Sequence, residues 1–123
     1  MKSFLLVFVG GGLGSGLRYL ITIAMNQYSK FFPFGTFTVN ILGCLLIGLI
    51  LGYAQKENTL TSNQTLLLAT GFCGGFTTFS AFANENLELI KNGEIFNFSA
   101  YTIGSVLVGI LAVFIGFYFS KNI

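Results

Sequence analysis

The sequence of 123 residues holds no histidine and no aspartate. That removes the commonest general base and the commonest metal ligands. Charge is scarce as well: 8% of residues are charged, where soluble domains carry about 25%. A chain with so few charges cannot cover a water-facing surface. With 54% hydrophobic residues it reads as an integral, multi-pass protein of the cell membrane, with the lipid bilayer as its solvent. The net charge of +2 is small and no basic cluster occurs, so no nucleic-acid partner is expected. Cysteine is limited to Cys44 and Cys73, both inside apolar runs. They read as small buried hydrophobes, not as a disulfide framework or a metal site. No nucleophile–base pair or metal cluster is present, which argues against an enzyme.

What is there is four long apolar runs. A spanning helix needs about 20 apolar residues. Four segments fit: Phe4 to Met25, Pro33 to Ala54, Thr65 to Ile90 and Phe98 to Phe119. The opening MKSFLLVFVGGG has the charge and apolar run of a signal peptide, but its apolar character continues to Met25 and no small-residue cleavage site stands out. Pro33 suits a helix start, where its missing N–H costs nothing. The links NQYSKFF, QKENTLTSNQ and KNGEIFN are short and polar. The expectation is an all-α membrane protein of one domain, residues 1–123, with no linker and no repeat.

Four spans put both termini on one side of the membrane. That side holds Lys2, Lys56 and Lys121; the other holds Lys30, Lys91 and Arg18, if Arg18 reaches that interface. Orientation normally follows a Lys/Arg excess in cytoplasmic loops, and here the two sides balance. The simplest consequence is insertion both ways up. One chain has too few helices to enclose a pathway, whereas two antiparallel copies would form eight helices about an axis in the membrane plane. The alternative is a fixed orientation set by a partner or by weaker signals in the chain.

Polar residues at membrane depth narrow the reading. In GGGLGSGLRY, Gly10 and Gly14 are four apart, as are Gly12 and Gly16, a spacing that lets helix backbones approach closely. Arg18 is costly in lipid: it either pairs with Glu85 or anchors the helix end at the headgroups. Asn40 lies about 10 Å into its span at 1.5 Å per residue. Its amide needs either an interhelical partner or a water-filled path. The third run is interrupted by GFCGGFTTFSAF, from Gly71 to Phe82. Its glycines weaken the helix, and Thr77, Thr78 and Ser80 can bond the freed backbone groups. Backbone carbonyls exposed by such a break can hold a monovalent cation. Phe79 and Phe82 share a face; phenyl edges are positive and favour an anion, while the plain alternative is core packing. Tyr101, Ser105 and Gly109 form one stripe on the fourth span, either a polar track or a packing groove.

The three quoted stretches, GGGLGSGLRY, PFGTFTVNILG and GFCGGFTTFSAFANE, resemble the Fluc/CrcB family of fluoride channels over nearly the whole chain. The resemblance implies a dual-topology antiparallel homodimer whose third helix is broken at its centre. It also implies two fluoride pores and a structural sodium ion, Na+, at the dimer interface. By motif match the sodium would sit on backbone carbonyls of Gly74 and Thr77. The pore would use Asn40, Phe79, Ser80, Phe82, Tyr101 and Ser105. Glu85 matches the acid after the break. Ala81 and Gly109 depart from the hydroxyls common in the family at those positions. Two other classes remain. A small multidrug antiporter shares length, spans and dual topology but needs a membrane-embedded acid, and Glu85 is the sole candidate. A non-transporting assembly subunit would leave Asn40 and the glycine-rich break as packing features.

Overall fold

The computed structural model describes residues 1–56 and 59–123. Among these residues there are helices and turns and no strand. Helix α1 runs Lys2–Met25 and passes into a tighter turn at Asn26–Tyr28; α2 runs Phe34–Ala54. The third rod is composite: α3 is Ser62–Thr65, wider π-type turns follow over Leu66–Cys73, α4 is Gly74–Phe76 and α5 is Phe79–Lys91. Helix α6 is Ile95–Asn122. Four helical stretches are long and apolar enough to cross a membrane: Lys2–Tyr28, Phe34–Ala54, Ser62–Lys91 and Ile95–Asn122. All four runs expected from hydropathy are found. Three of them extend further than the apolar residues alone, because helical hydrogen bonding continues into the polar ends.

Local chemistry sets the ends. Ser29 Oγ accepts from the N–H groups of Phe31 and Phe32, which turns the chain toward Pro33 and α2. Thr61 and Gln64 form a reciprocal capping box at the start of α3, each side chain bonding the other's backbone N–H. At the end of α5, Gly93 takes a φ of +74°. Its N–H bonds to Ile90 O and that of Glu94 to Leu89 O, a Schellman closure that only glycine adopts without strain. This hairpin folds α6 back along α5.

The helices pack chiefly in two pairs, α1 on the first half of the third rod and α2 on α6. Both interfaces rest on bare backbone. A Cβ built on Gly10 would meet Leu67 O and Phe72 N, and one on Gly14 would meet Phe72 O and Phe76 N. On α2, Gly48 lies against Val113 O and Phe117 N, while Gly116 of α6 lies against Leu45 O and Leu49 N. In lipid there is no hydrophobic drive between helices, so such close van der Waals approach is what associates them. Of the two spaced pairs on α1, Gly10 and Gly14 face inward. Gly12 and Gly16 have nothing within 4 Å.

Candidate functional site

The site is built around two residues. Helix α4 stops at Phe76, Thr77 (φ −90°, ψ 159°) and Thr78 (φ −151°, ψ 121°) are extended, and α5 starts at Phe79. Side chains hold this geometry. The Thr78 N–H donates to Asn40 Oδ1 at 2.8 Å, and Asn40 Nδ2 donates back to Thr78 O at 3.1 Å. Thr78 Oγ1 accepts from the Ala81 N–H at 3.1 Å, capping α5. Thr77 Oγ1 donates to Cys73 O at 3.0 Å.

These bonds have a consequence for the carbonyls. In an uninterrupted α-helix the Thr78 N–H would serve Gly74 O, and the Ala81 N–H would serve Thr77 O. Both donors are taken by side chains instead. The carbonyls of Gly74 and Thr77 are thereby relieved of their in-helix partners. A Cβ on Gly74 would meet nothing within 4 Å, so the backbone there is also open to approach. Carbonyl oxygens of this kind are the ligand type of a hard monovalent cation, but two are too few to hold one, and a second copy of the chain would double the number. The neighbouring Gly75 O is occupied: it accepts from Arg18 Nε at 3.0 Å and from Ser15 Oγ at 3.3 Å.

A cavity of about 480 Å³ lies beside the extended residues. Asn40, Gly43 and Cys44 of α2 form one wall, and Thr70, Cys73, Gly74, Thr77 and Thr78 another. Phe79 and Phe82 of α5 and Ser105 of α6 complete it. The Phe79 and Phe82 rings are 5.7 Å apart at 42°. Phe79 is 79% exposed, so within its own chain it is not a core residue. The amide nitrogen of Asn40 has a second hydrogen beyond the one given to Thr78 O. Both alternatives open to Asn40 in the sequence are therefore compatible: it bonds across helices and it lines a cavity.

A second polar cluster sits further along α5, toward its C-terminal end. Glu85 Oε2 accepts from Thr36 Oγ1 at 2.8 Å, and Oε1 accepts from the Tyr101 hydroxyl at 3.0 Å. Tyr101 is fully buried, with the Phe82 ring 5.0 Å away. Glu85 also lines a smaller cavity of about 290 Å³ with Asn26, Lys30, Glu88, Asn92 and Glu94. The chain from Phe82 to Glu85 thus runs from one cavity to the other, with Tyr101 touching both residues.

Of the ten residues singled out from sequence, the structure gathers six at the first cavity: Asn40, Gly74, Thr77, Phe79, Phe82 and Ser105. Tyr101 and Glu85 bond each other one step away. Ser80 is exposed and its Oγ lies 3.2 Å from Thr78 Oγ1. The sequence leaves two alternatives open for Arg18, pairing with Glu85 or anchoring at the headgroups. In the structure it is half-buried with its Nε on the Gly75 carbonyl and makes no bond to Glu85, because α1 packs on α4. Sequence reasoning missed Thr36, although its position four residues before Asn40 places both on one face of α2.

The chain matches, over residues 5–117, the family model described as CrcB-like protein, Camphor Resistance (CrcB). A protein of Phocaeicola vulgatus named fluoride-specific ion channel FluC is 51% identical, covering 98% of this chain and all of that one. The protein of the same name from Flavobacterium psychrophilum is 45% identical over the whole of both chains. That of Gloeothece citriformis is 48% identical over 99% of each. With the family matched over nearly its whole length and four helices able to cross a bilayer, this multi-pass membrane protein belongs to the CrcB family.

Proposed function

We propose that this chain is a fluoride-selective ion channel that passively exports fluoride from the cytoplasm. The family is one of ion channels and not of enzymes. The observation that carries the reading is the shared name of relatives 45–51% identical over nearly the whole chain. The first cavity supports it by bringing the Asn40 amide, Ser105 and the Phe79 and Phe82 rings together with no acid in its lining.

The mechanism follows from hydration. Fluoride holds its water strongly, so bare hydrocarbon excludes it, and a pathway must supply replacement donors. In this reading the second hydrogen of Asn40, the hydroxyls of Ser80, Tyr101 and Ser105 and the edges of Phe79 and Phe82 supply them. Chloride is larger and accepts weaker hydrogen bonds, so a narrow row of small donors disfavours it. Several weak sites in series let an ion leave as readily as it arrives. Neutral HF crosses membranes and dissociates in a near-neutral cytoplasm, trapping fluoride. A passive route lets the negative-inside potential drive it out.

The functional unit in this reading is an antiparallel homodimer with two pores and a broken third helix from each copy at its centre. Each copy would offer the carbonyls of Gly74 and Thr77 to a shared sodium ion. That ion would supply positive charge near the anion paths, in a chain with few fixed charges of its own. Arg18 and Ser15, by holding Gly75 O, would keep that oxygen out of the set.

The test is anion efflux from liposomes holding only this purified protein, fluoride and chloride side by side. Rapid fluoride loss without chloride loss is expected. Folded, dimeric protein that passes no fluoride would overturn the reading.

A further inference from the structure

Three buried side-chain atoms among the described residues have no hydrogen-bond partner: Asn86 Oδ1, Thr102 Oγ1 and Ser105 Oγ. Two of these are hydroxyls on α6, three residues apart, hence on one face and about 4.5 Å apart along the axis. A buried hydroxyl without a partner is costly, and each such atom in a native fold calls for an unseen ligand, water or ion. A helical threonine can satisfy itself on the carbonyl four residues back; Thr102 makes no such bond.

Position adds a second argument. Ser105 and Val106 line the first cavity, and Glu94, just before α6, lines the second. Thr102 falls between Glu94 and Ser105 along α6, one turn from Ser105, and itself lines neither cavity. Its neighbour Tyr101 also lies there, but the Tyr101 hydroxyl is committed to Glu85. Thr102 is thus an uncommitted buried hydroxyl one helical turn from Ser105, whose own uncommitted hydroxyl belongs to a residue at the wall of the first cavity.

We propose that Thr102 is a further anion-contact position, its hydroxyl acting with that of Ser105 as a buried donor pair on the path from the Asn40 cavity. The ligand is a small, strongly hydrogen-bond-accepting anion, with the water it retains. The inference rests on the fluoride-channel reading and adds to it a residue that neither the motif match nor the helical stripe includes.

The test uses the full chain in liposomes, with Thr102→Val, Thr102→Ala and Thr102→Ser beside the unaltered protein. Fluoride efflux and the thermal unfolding midpoint are both measured. Valine keeps the shape and removes the hydroxyl, so fluoride efflux should fall about tenfold or more, the scale of one hydrogen bond to an ion. Its midpoint should hold or rise, because an unpaired buried hydroxyl has been replaced by a methyl. Alanine should slow efflux likewise, and serine should restore it. A structural hydroxyl would give the opposite pattern, a lower midpoint with efflux intact. Efflux within about twofold of the unaltered protein in both Val and Ala variants, or a Val variant that melts lower, overturns the proposal. No fluoride efflux from the unaltered protein overturns the channel reading and this inference together; a fast unaltered protein with an equally fast Val variant overturns this inference alone.

Discussion

Asn40 bonds both backbone groups of Thr78, so one truncation undoes two contacts. Asn40→Ala would leave a half-buried N–H and C=O unpaired and cost about 1–3 kcal/mol. The expected result is a lower unfolding midpoint together with lost fluoride efflux. Asn40 truncation that leaves the midpoint unchanged would mean that Thr78 does not depend on it. Glu85 poses a different question, since its two oxygens each accept from a hydroxyl. An amide has one acceptor oxygen and an NH2 in place of the other. Glu85→Gln should therefore reverse one of the two bonds, its NH2 donating to the Thr36 or Tyr101 oxygen, and lower stability by only about 1 kcal/mol. Glu85→Ala removes both acceptors and should cost about 1–3 kcal/mol, read by thermal or denaturant unfolding. The phenyl rings separate stability from transport. Phe79 is largely exposed, so Phe79→Ile should leave the midpoint unchanged while cutting fluoride efflux. Phe82→Ile should cut efflux too, with a small loss of stability from its contact with the Tyr101 ring. Unchanged efflux in both variants would remove the rings from the mechanism.

Among the elements, α1 shows how much a spacing can tell. Gly10/Gly14 and Gly12/Gly16 have the same spacing, yet only the first pair meets backbone in the chain. Gly14→Ala should destabilise by about 1–3 kcal/mol, the usual cost of overpacking, because Phe72 O and Phe76 N cannot move without shifting the third rod. Gly12→Ala should leave the monomer fold intact and gain up to about 1 kcal/mol in helix propensity. Unfolding midpoints of the two variants side by side check this. The sequence could signal that α1 packs closely but not by which face, since its apolar residues run all round it. The four spans were readable because each apolar run exceeds the length that a bilayer demands. Arg18's partner was not, because it is a backbone carbonyl, brought there by the packing of α1 on α4, and a carbonyl has no side-chain signature. Thr36 had a signal, its spacing to Asn40, but Thr38 beside it looks equally polar. Only the fold shows which of the two reaches Glu85. The six residues at the first cavity come from three separate spans, and hydropathy alone does not bring them together.

At the scale of the whole molecule, the balance of charge across the membrane is the feature with the largest consequence. Lys2, Lys56 and Lys121 stand against Lys30 and Lys91, with Arg18 held on the Gly75 carbonyl. With so small a Lys/Arg difference between the sides, the reading proposed above has the chain insert both ways up. If the working unit is an antiparallel pair, this balance is a requirement and not an accident, because one gene must supply both orientations. The freed carbonyls of Gly74 and Thr77 have the same logic: two from one chain are a poor cation site, whereas four from a pair could complete one. Adding two lysines to the Asn26–Phe32 link, or two near Lys121, should bias the chain toward opposite orientations. Each biased variant alone should then make no antiparallel pair and leave fluoride-loaded cells unable to discharge the ion. Expressed together, the two should pair and restore efflux. A variant shown to insert one way only, yet exporting fluoride alone at the rate of the unaltered chain, would mean that the antiparallel pair is not the working unit. The Gly74 and Thr77 carbonyls would then have to be matched by a parallel copy or by water.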